Sequence, residues 1–299
     1  MAYLAQQERQ LKINKPVTIC VKRRAAIGDV IMTTGVVREL KKLYGETAHI
    51  VVATDKLSVY QNNPNVLGVI SYDEAEKLPW DVVFNLDDAY EWNPENHYLD
   101  SYFHKVFGRT DLDKSVELFP NPDDIEIVKH DLSELGDKFI VVHMRNWYWE
   151  CKNIDMEVWY AVLEKLFSER TDFNIVCVGS ESDLHVDHPL IFDGRNQYTE
   201  QQLKYLCDHA ACFVGVDSAP FWAAAASKTK IIALLTHLLP ERIMPPGDHV
   251  AITTLEDCRG CNDTQQVPVR QVVCKKGNTP CKNNFDIDAI AQAILKTLE

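Results

Sequence analysis

Short apolar runs alternate with stretches of helical periodicity through the first half of the chain. The runs are rich in the β-branched residues Val and Ile, which favour strands, whereas apolar residues spaced three and four apart around Val36–Tyr44 favour a helix. The predicted strands are Val17–Val21, His49–Ala53, Val66–Ile70 and Val82–Leu86. This alternation is typical of βαβ units, so the first half is predicted to build a mainly parallel sheet.

The second half of the chain repeats the alternation. The predicted strands are Phe139–His143, Phe173–Val178, Cys212–Val216 and Ile231–Leu235, and the predicted helices are Met156–Phe167, Glu200–His209 and Pro220–Ser227. A capped amphipathic helix is predicted over Asp286–Leu298, because its isoleucines recur at helical spacing. The chain is therefore expected to be an α/β protein with two Rossmann-like domains.

Prolines and charged residues interrupt both patterns between Phe119 and Lys138, which marks the boundary between the two halves. The division that follows is an N-terminal domain over residues 1–125, a linker over 126–137, a C-terminal domain over 138–284 and a C-terminal helix over 285–299. The length of 299 residues agrees with this division, since a chain of this size usually forms two domains of about 100–200 residues.

The chain carries 31 Lys and Arg against 44 Asp and Glu, a formal net charge of −13. This excess of negative charge disfavours sequence-independent binding to nucleic acid or to an anionic membrane. A basic cluster at Lys22–Arg24 is still compatible with an anionic acceptor near the first strand. Residues Met1–Lys15 lack the apolar core of a signal peptide, and no run reaches the roughly 18 apolar residues of a membrane span, so a cytoplasmic protein is expected.

The first candidate for chemistry is the turn at Gly28-Asp29, which follows the strand Val17–Val21 and precedes a helix opening near Val30. Such a strand-to-helix turn at the mouth of an α/β sheet places a side chain where a ligand can reach it. Asp29 is accordingly either a functional carboxylate or the N-cap of the helix. The turn holds one glycine, so the Gly-x-Gly-x-x-Gly fingerprint of dinucleotide binding is absent and a nicotinamide dehydrogenase is disfavoured.

Two later segments also place polar residues after a predicted strand. His143 ends one strand and is followed by a loop with Arg145 and Lys152, whose cations suit a phosphate. The tryptophans of this loop suit either stacking on a base or sugar, or packing at the hinge between the domains. Asp217 and Ser218 precede a helix of small residues, where backbone N–H groups bind an anion or are capped by these side chains.

The order and spacing of these three segments resemble glycosyltransferase family 9, the ADP-heptose:lipopolysaccharide heptosyltransferases and their relatives. The Gly-Asp turn of that family resembles Gly28-Asp29, its Lys-x-Trp-Pro-x-x-x-Trp stretch is similar to Lys152–Trp159, and its Asp-(Ser/Thr)-Gly-x-x-His-x-Ala-Ala helix start resembles Asp217–Ala226. Val178-Gly179-Ser180 lies between the second and the third. The resemblance covers most of the chain and implies the GT-B fold, in which two Rossmann-like domains with mainly parallel sheets face each other across a cleft.

The resemblance also implies roles for individual residues. Asp29 is implied as the general base that deprotonates the acceptor hydroxyl, and Lys152 as the cation that stabilises the leaving diphosphate. The expected donor-binding residues are His143, Arg145, Gly179, Ser180, Asp217, Ser218, Ala219 and Trp222. The expected acceptor-side residues are Arg24, Gly28 and Thr33.

A glycosyltransferase of this kind is expected to be inverting and independent of metal, because a cation and a helix N-terminus can stabilise the leaving group. Its expected partners are a nucleotide-diphosphate sugar donor, such as ADP-heptose, and a hydroxyl acceptor such as a lipopolysaccharide or polysaccharide. No cofactor is expected for catalysis. Two departures from the family pattern leave the donor open, because Ala219 replaces a glycine and Trp222 replaces a histidine.

Three other functions remain open at this point. A phage-type glycosyltransferase would modify hydroxymethylated DNA bases, which the basic residues near Asp29 allow and the net charge disfavours. A GT-B-like nucleotide-sugar epimerase would release a free epimerised sugar without any acceptor. A non-catalytic nucleotide-sugar-binding module would keep the fold without turnover, and the departures at Ala219 and Trp222 motivate that alternative.

Nine cysteines without an export signal indicate reduced thiols or metal ligands. Cys20, Cys177 and Cys212 lie in apolar strands and are expected in the core. Four others have the spacing Cys258-x2-Cys261-x12-Cys274-x6-Cys281. A Cys-x2-Cys pair within such a set is typical of a structural Zn²⁺ site, which would not be catalytic. Zinc, free thiols and disulfides are all consistent with this spacing.

Overall fold

A computed structural model describes residues 16–93, 95–147, 149–261 and 273–299, along which strands and helices alternate as the hydrophobic pattern predicts. The strands are β1 Val17–Lys22, β2 Ala48–Ala53, β3 Gly68–Ile70, β4 Val82–Asn85, β5 Phe139–His143, β6 Asn174–Cys177, β7 Ile191–Asp193, β8 Cys212–Gly215, β9 Lys230–Leu235 and β10 Val250–Thr253. The helices are α1 Ile27–Met32, α2 Thr34–Tyr44, α3 Tyr72–Ala75, α4 Tyr98–Phe107, α5 Pro122–Leu135, α6 Met156–Glu169, α7 Glu200–Cys207, α8 Ala219–Ala225, α9 Pro240–Ile243 and α10 Ile287–Leu295. Short 3-10 turns lie at Gly45–Thr47, Leu57–Tyr60, Glu150–Lys152 and Pro280–Lys282.

The N-terminal lobe, residues 16–119, is built around a four-stranded parallel sheet in the order β3-β2-β1-β4. β1 lies between β2 and β4, so Val21 is paired with Val52 on one side and with Phe84 on the other. The strand order reverses at β1, and such a reversal opens a crevice at the carboxyl ends of the two strands beside it. The segments that leave β1 and β4 carry Asp29 and Tyr90 into this crevice.

The C-terminal lobe, residues 122–299, contains a six-stranded parallel sheet in the order β10-β9-β8-β5-β6-β7. Its strand order reverses between β5 and β8, where His143 is paired with Gly215. A second crevice therefore opens where these two strands end. The segments that follow them carry Lys152 and Asp217, so each lobe presents its candidate residues at the reversal of its own sheet. The predicted pair of parallel sheets in an α/β chain is confirmed.

The segment predicted as a linker, residues 126–137, lies largely within helix α5. Asn121 caps this helix by accepting a hydrogen bond from the N–H of Asp124, whose carboxylate accepts from the N–H of Asn121 in return. The proline that follows Asn121 occupies the first turn, where its missing N–H costs nothing. The carbonyl of Leu135 accepts a bond from Asn174, so the helix packs on the C-terminal lobe. The prolines and acidic residues begin a helix here, and the domain boundary itself stays a prediction.

The hydrophobic pattern does not predict α4, β7 or β10. Helix α4 is rich in aromatic residues, which favour strands, but His97 caps its start by accepting from the N–H of Leu99, and Gly108 ends it in the left-handed region at φ 68°. Strands β7 and β10 are the two edges of the larger sheet. They have three and four residues, too few for a recognisable alternation.

The cores of both sheets contain the cysteines that the sequence places in apolar strands, since Cys20, Cys177 and Cys212 are buried. The predicted C-terminal helix is present as α10, with Asp286 as its N-cap. Its buried isoleucines join the apolar cluster that α6 forms against the C-terminal sheet. Among the helices of the described residues, none is both long enough and apolar enough to cross a membrane.

The lobes contact each other at several places around the cleft. Gln201 donates its amide to the carbonyl groups of Ser58 and Val59 at 3.1 Å each, which joins α7 to the N-terminal lobe. On another side, an imidazole nitrogen of His97 lies 2.9 Å from the carbonyl oxygen of Met244. These contacts hold the two crevices opposite each other.

Gly35, the second residue of α2, allows the packing of the N-terminal lobe to be tested. A Cβ at Gly35 would lie 2.8 Å from the carbonyl oxygen of Ser115, which is backbone and has little freedom to move. We expect Gly35→Ala to lower the free energy of unfolding by about 1–3 kcal/mol, as overpacking does. Gly68→Ala is the matched control, because nothing lies within 4 Å of its added Cβ, and should change stability by less than about 0.5 kcal/mol. Chemical denaturation measures both, and equal effects would contradict the interpretation.

Candidate active site

A cleft of about 500 Å³ lies between the two lobes, at the crevices of both sheets. Eleven of the predicted site residues line it. They are Gly28 and Asp29 from the N-terminal lobe, and His143, Arg145, Lys152, Gly179, Ser180, Asp217, Ser218, Ala219 and Trp222 from the C-terminal lobe. Residues that are up to 194 positions apart in the chain are thus brought to one cavity, with the acidic Asp29 on one wall and the Lys152–Asp217 pair on the other.

Asp29 is the third residue of the helical turn that follows β1, and it is not the N-cap. The N-cap is Ala26, whose side chain has no oxygen to accept a hydrogen bond. Instead, Oδ2 of Asp29 accepts a bond from the N–H of Ala26 at 2.7 Å. The backbone therefore orients the carboxylate through one of its oxygens. The alternative that Asp29 is the N-cap is wrong, because Ala26 occupies that position.

Two side chains hold the other oxygen of Asp29. The hydroxyl of Tyr90 donates to Oδ1 at 2.5 Å, and a guanidinium nitrogen of Arg23 lies 3.2 Å from the same atom. Burial and the nearby Asp29 raise the pKa of Tyr90 well above its usual value, so its hydroxyl keeps its proton and acts as the donor. Arg23 also pairs with Glu91 at 2.6 Å. Two hydrogen bonds and one ion pair thus fix the Asp29 carboxylate, whose side chain is 13% exposed.

Lys152 and Asp217 form an ion pair on the opposite wall, with Nζ 2.5 Å from Oδ2. Lys152 ends the 3-10 turn Glu150–Lys152, and Asp217 follows β8. The indole N–H of Trp222 donates to the other oxygen of Asp217 at 3.3 Å. Burial raises the pKa of Asp217 and the nearby Lys152 lowers it, with a net decrease, so the Asp217 carboxylate is ionised at neutral pH.

Ser218 caps helix α8 and is held by a chain of hydrogen bonds. Burial lowers the pKa of His143, so its ring is neutral at neutral pH. Its Nδ1 lies 2.9 Å from the hydroxyl of Ser218, and its Nε2 lies 3.1 Å from the carboxylate of Asp183. Burial alone would raise the pKa of Asp183. Hydrogen bonds from His143 and from the N–H groups of Asn146 and Ser180 outweigh that effect and lower the pKa well below its usual value, so the carboxylate is ionised. The neutral ring therefore donates to Asp183 from Nε2 and accepts from Ser218 at Nδ1.

Two of the predicted acceptor-side residues do not line the cleft. Thr33 is fully buried, and its hydroxyl bonds to the carbonyl of Val30 and to Tyr60 within the N-terminal lobe. Arg24 stacks on the ring of Tyr72, 4.0 Å from its centre, and lies on the outer surface. The chain turns between Arg24 and Asp29, so nearness in sequence does not place these side chains in the same cavity.

Sequence reasoning also missed residues that the structure places in the cleft. Tyr90 follows β4, which neighbours β1 at the reversal of the sheet. Its place after a strand is the feature of the sequence that could have marked it as a cleft residue. Asp183 comes three residues after Ser180, in the loop already singled out. The remaining lining residues include Lys56, Asn196, Tyr198 and Glu200. They come from irregular loops and helix starts, for which a hydrophobic pattern gives no signal.

The four spaced cysteines lie away from the cleft but around one small cavity. All nine cysteines fall in the described ranges and all are free thiols, so the disulfide alternative is wrong for this structure. Cys258, Cys261, Cys274 and Cys281 line the cavity together with a fifth thiol, that of Cys151. Burial raises the pKa of the Cys151 and Cys281 thiols to about 12, so both are protonated at neutral pH when no metal is bound.

Comparison with solved structures shows that this fold is known. The chain is similar to a glycosyl transferase family 9 protein from Veillonella parvula DSM 2008, with a TM-score of 0.73, 17% identity, and coverage of 95% of this chain and 98% of that chain. It is similar to TibC, an iron-containing dodecameric glycosyltransferase from enterotoxigenic E. coli H10407, with a TM-score of 0.74, 12% identity, and coverage of 95% and 78%. It is also similar to E. coli ADP-heptose lps heptosyltransferase II, with a TM-score of 0.63, 15% identity, and coverage of 92% and 99%.

The structural likeness establishes two Rossmann-like domains in the GT-B arrangement, as expected. No curated protein matches the sequence. The profile of glycosyltransferase family 9 (heptosyltransferase) matches residues 70–268, which include β5 to β10 and the segments carrying Lys152 and Asp217 but leave out the Asp29 turn. The match extends over more than half of the chain, and it agrees with the cleft geometry and the fold. The chain is a glycosyltransferase and belongs to glycosyltransferase family 9.

Proposed function

We propose that the protein is an inverting glycosyltransferase that moves a sugar from a nucleotide-diphosphate sugar to a hydroxyl group of an acceptor. The observation that carries this proposal is that Asp29 and the Lys152–Asp217 pair line one cleft from opposite lobes. Such an arrangement can hold the acceptor beside a carboxylate and the diphosphate beside a cation, with the sugar between them. A single displacement across the cleft inverts the anomeric carbon.

Asp29 would act as the general base. Oδ1 already accepts a hydrogen bond from Tyr90 and is paired with Arg23, whereas Oδ2 accepts one bond from the N–H of Ala26 and keeps a lone pair for the acceptor. As the acceptor oxygen bonds to the anomeric carbon, its proton passes to this carboxylate. The bond from the anomeric carbon to the diphosphate oxygen breaks, and its electron pair leaves with the diphosphate.

The C-terminal lobe would receive the charge that develops on the leaving diphosphate. The Lys152 ammonium has three N–H donors, and Asp217 takes one of them. Arg145 lines the same wall, and Ser218 lies at the start of α8. These groups supply positive charge and donors where a leaving group would gain negative charge, so side chains take the part that a metal ion plays in other transferases.

A nucleotide-activated heptose is the first donor to test. The relative TibC has been solved in complex with ADP-D-beta-D-heptose, and the E. coli relative is named an ADP-heptose lps heptosyltransferase. An anionic acceptor glycan of that kind would meet Lys56 on the N-terminal wall, because Arg23 is paired with Asp29 and Glu91 and Arg24 does not line the cleft. Trp222 stands where the family pattern has histidine, so ADP-, UDP-, GDP- and CMP-sugars belong in the same screen.

The decisive experiment combines a thermal-shift screen of these donors with turnover by an Asp29→Asn variant. A donor at 100 times its Kd stabilises the folded protein by about 2.7 kcal/mol, which such a screen detects. Asp29→Asn is expected to lower kcat about 10²- to 10⁴-fold while the donor still binds, because only proton transfer is lost. Asp55→Asn is the control, since Asp55 is exposed, pairs with Arg24 and lies outside the cleft.

Other outcomes would contradict parts of the proposal. Unchanged turnover in Asp29→Asn removes the role of this residue as base. A free epimerised sugar formed without an acceptor favours an epimerase, and donor binding without turnover on any acceptor favours a binding module. Transfer to hydroxymethylated DNA in place of glycans would move the acceptor to nucleic acid.

We further propose that the cysteine cavity holds a structural metal ion. Cys258, Cys261, Cys274 and Cys281 line it, and four thiolates are a ligand set suited to zinc or iron. In a closed tetrahedral zinc site neighbouring sulfurs are about 3.8 Å apart, given a bond of about 2.3 Å. Among the residues that the structure describes, no three of these sulfurs lie within 4.8 Å of one another, so ligation requires them to come closer. The relative TibC is described as iron-containing, which makes iron a candidate beside zinc.

Metal analysis tests this centre. We expect about one zinc or iron ion for each chain, and its removal by a chelator should lower Tm, because an ion bound only by the folded state stabilises it. Cys258→Ser should lose the ion. Cys177→Ser is the matched control, since that thiol is buried in β6 away from the cavity, and it should keep the ion. Protein that contains no metal and binds none when zinc is added would contradict the proposal.

A further inference from the structure

Lys152 lies on a single 3-10 turn between β5 and α6, and none of the strands in the described ranges pairs with this turn. Within the turn, the N–H of Lys152 donates to the carbonyl of Trp149 at 3.0 Å, and the N–H of Asn153 donates to Glu150 at 2.9 Å. The side chain of Asn153 closes the loop before it by bonds to Trp147. One turn with so few internal bonds is held in position mainly by what packs against it.

The neighbour that packs against this turn is the described part of the cysteine segment, residues 273–284. The ammonium of Lys282 lies 3.2 Å from the carboxylate of Asp155 and 3.5 Å from that of Glu150. The carbonyl of Lys282 accepts from the N–H of Asp155 at 3.2 Å, and the hydroxyl of Thr279 donates to Glu150 at 3.2 Å. Glu150 precedes Lys152 in the chain and Asp155 follows it, so the cysteine segment contacts the chain on both sides of Lys152.

The residue beside Lys152 belongs to the cysteine cavity itself. The Cys151 side chain is 7% exposed and lines the cavity with the four spaced cysteines. Its carbonyl accepts a hydrogen bond from the hydroxyl of Thr236, which lines the same cavity. The wall of the cavity is therefore also the support of the Lys152 turn, and the two sites share a stretch of backbone.

We propose that the cysteine segment positions Lys152, with Lys282 as the positioning residue, and that an ion bound by the cysteines tightens this support. The binding of the diphosphate then depends on a metal that never touches it. This inference rests on the proposed function, because that function assigns the diphosphate to Lys152. It goes beyond a structural metal by linking the occupancy of the cysteine cavity to the donor side of the cleft.

Lys282→Met tests the link, and Lys276→Met is its matched control. Methionine keeps an apolar stem of similar length and removes the charge. Lys276 lies in the same segment and also holds two carboxylates at 2.6 Å, but they belong to Glu256 and Asp257, which do not flank Lys152. Both pairs are partly exposed, so each variant should fold with a small change in Tm.

Hydrogen–deuterium exchange of peptides that cover residues 149–155 is the first measurement. We expect faster exchange in Lys282→Met and unchanged exchange in Lys276→Met, because only the first variant releases the turn. Adding zinc to metal-free wild-type protein should slow exchange in the same peptides. Equal exchange in the two variants overturns the role of Lys282, and exchange that zinc does not change overturns the role of the ion.

Titration with inorganic pyrophosphate is the second measurement, and it separates this inference from the proposed function. Pyrophosphate presents the charge that Lys152 is assigned to hold without requiring the right base or sugar. We expect Lys152→Met to weaken its binding most, Lys282→Met to weaken it about 3- to 10-fold through misplacement, and Lys276→Met to weaken it less than about 2-fold. Unchanged affinity in Lys152→Met means that the assignment of the diphosphate fails. Loss in Lys152→Met with equal affinity in the two other variants means that the positioning fails.

Discussion

The geometry of the cleft depends on how closely the start of α1 approaches α8, and Gly28 permits that approach. A Cβ at this position would lie 2.9 Å from Cδ1 of Trp222 and 3.5 Å from the carbonyl oxygen of Ser218. Asp29 is the next residue, so the contact that joins the lobes also sets the distance from the carboxylate to the donor side. A larger residue at position 28 therefore requires the Trp222 ring or the start of α1 to shift, which disturbs the contact beside Asp29.

Each wall of the cleft carries a buried charge that is matched by its neighbours. Arg23 lies between Asp29 and Glu91 in the N-terminal lobe, and Lys152 is paired with Asp217 in the C-terminal lobe. Buried ion pairs add little net stability, because loss of hydration offsets their attraction. Their contribution here is orientation, since each functional group is held by partners that leave it fewer alternative positions. The cleft is thereby organised before any ligand enters it.

The sequence predicts the two parallel sheets well because short apolar strands and periodic helices are encoded by residues that are close together in the chain. It also predicts most of the C-terminal wall, where Lys152 and Asp217 follow recognisable strands. It does not predict that Tyr90 binds Asp29, because this contact depends on β1 and β4 being neighbours although two other strands separate them in the chain. Thr33 shows the opposite case, since it is close to Asp29 in sequence but faces the core.

Trp222 departs from the family pattern, which has histidine at this position, and the larger side chain makes different contacts. Its indole N–H donates to Asp217, and its ring is 1% exposed and lies against Gly28. An imidazole in its place would be smaller and more polar, with a second nitrogen that could contact the nucleotide-sugar donor. The tryptophan instead supports the contact between the lobes and the carboxylate that holds Lys152. Under the proposed function, recognition of the donor then falls to other residues of the cleft, which include Asn196, Tyr198 and Glu200 beyond the end of β7.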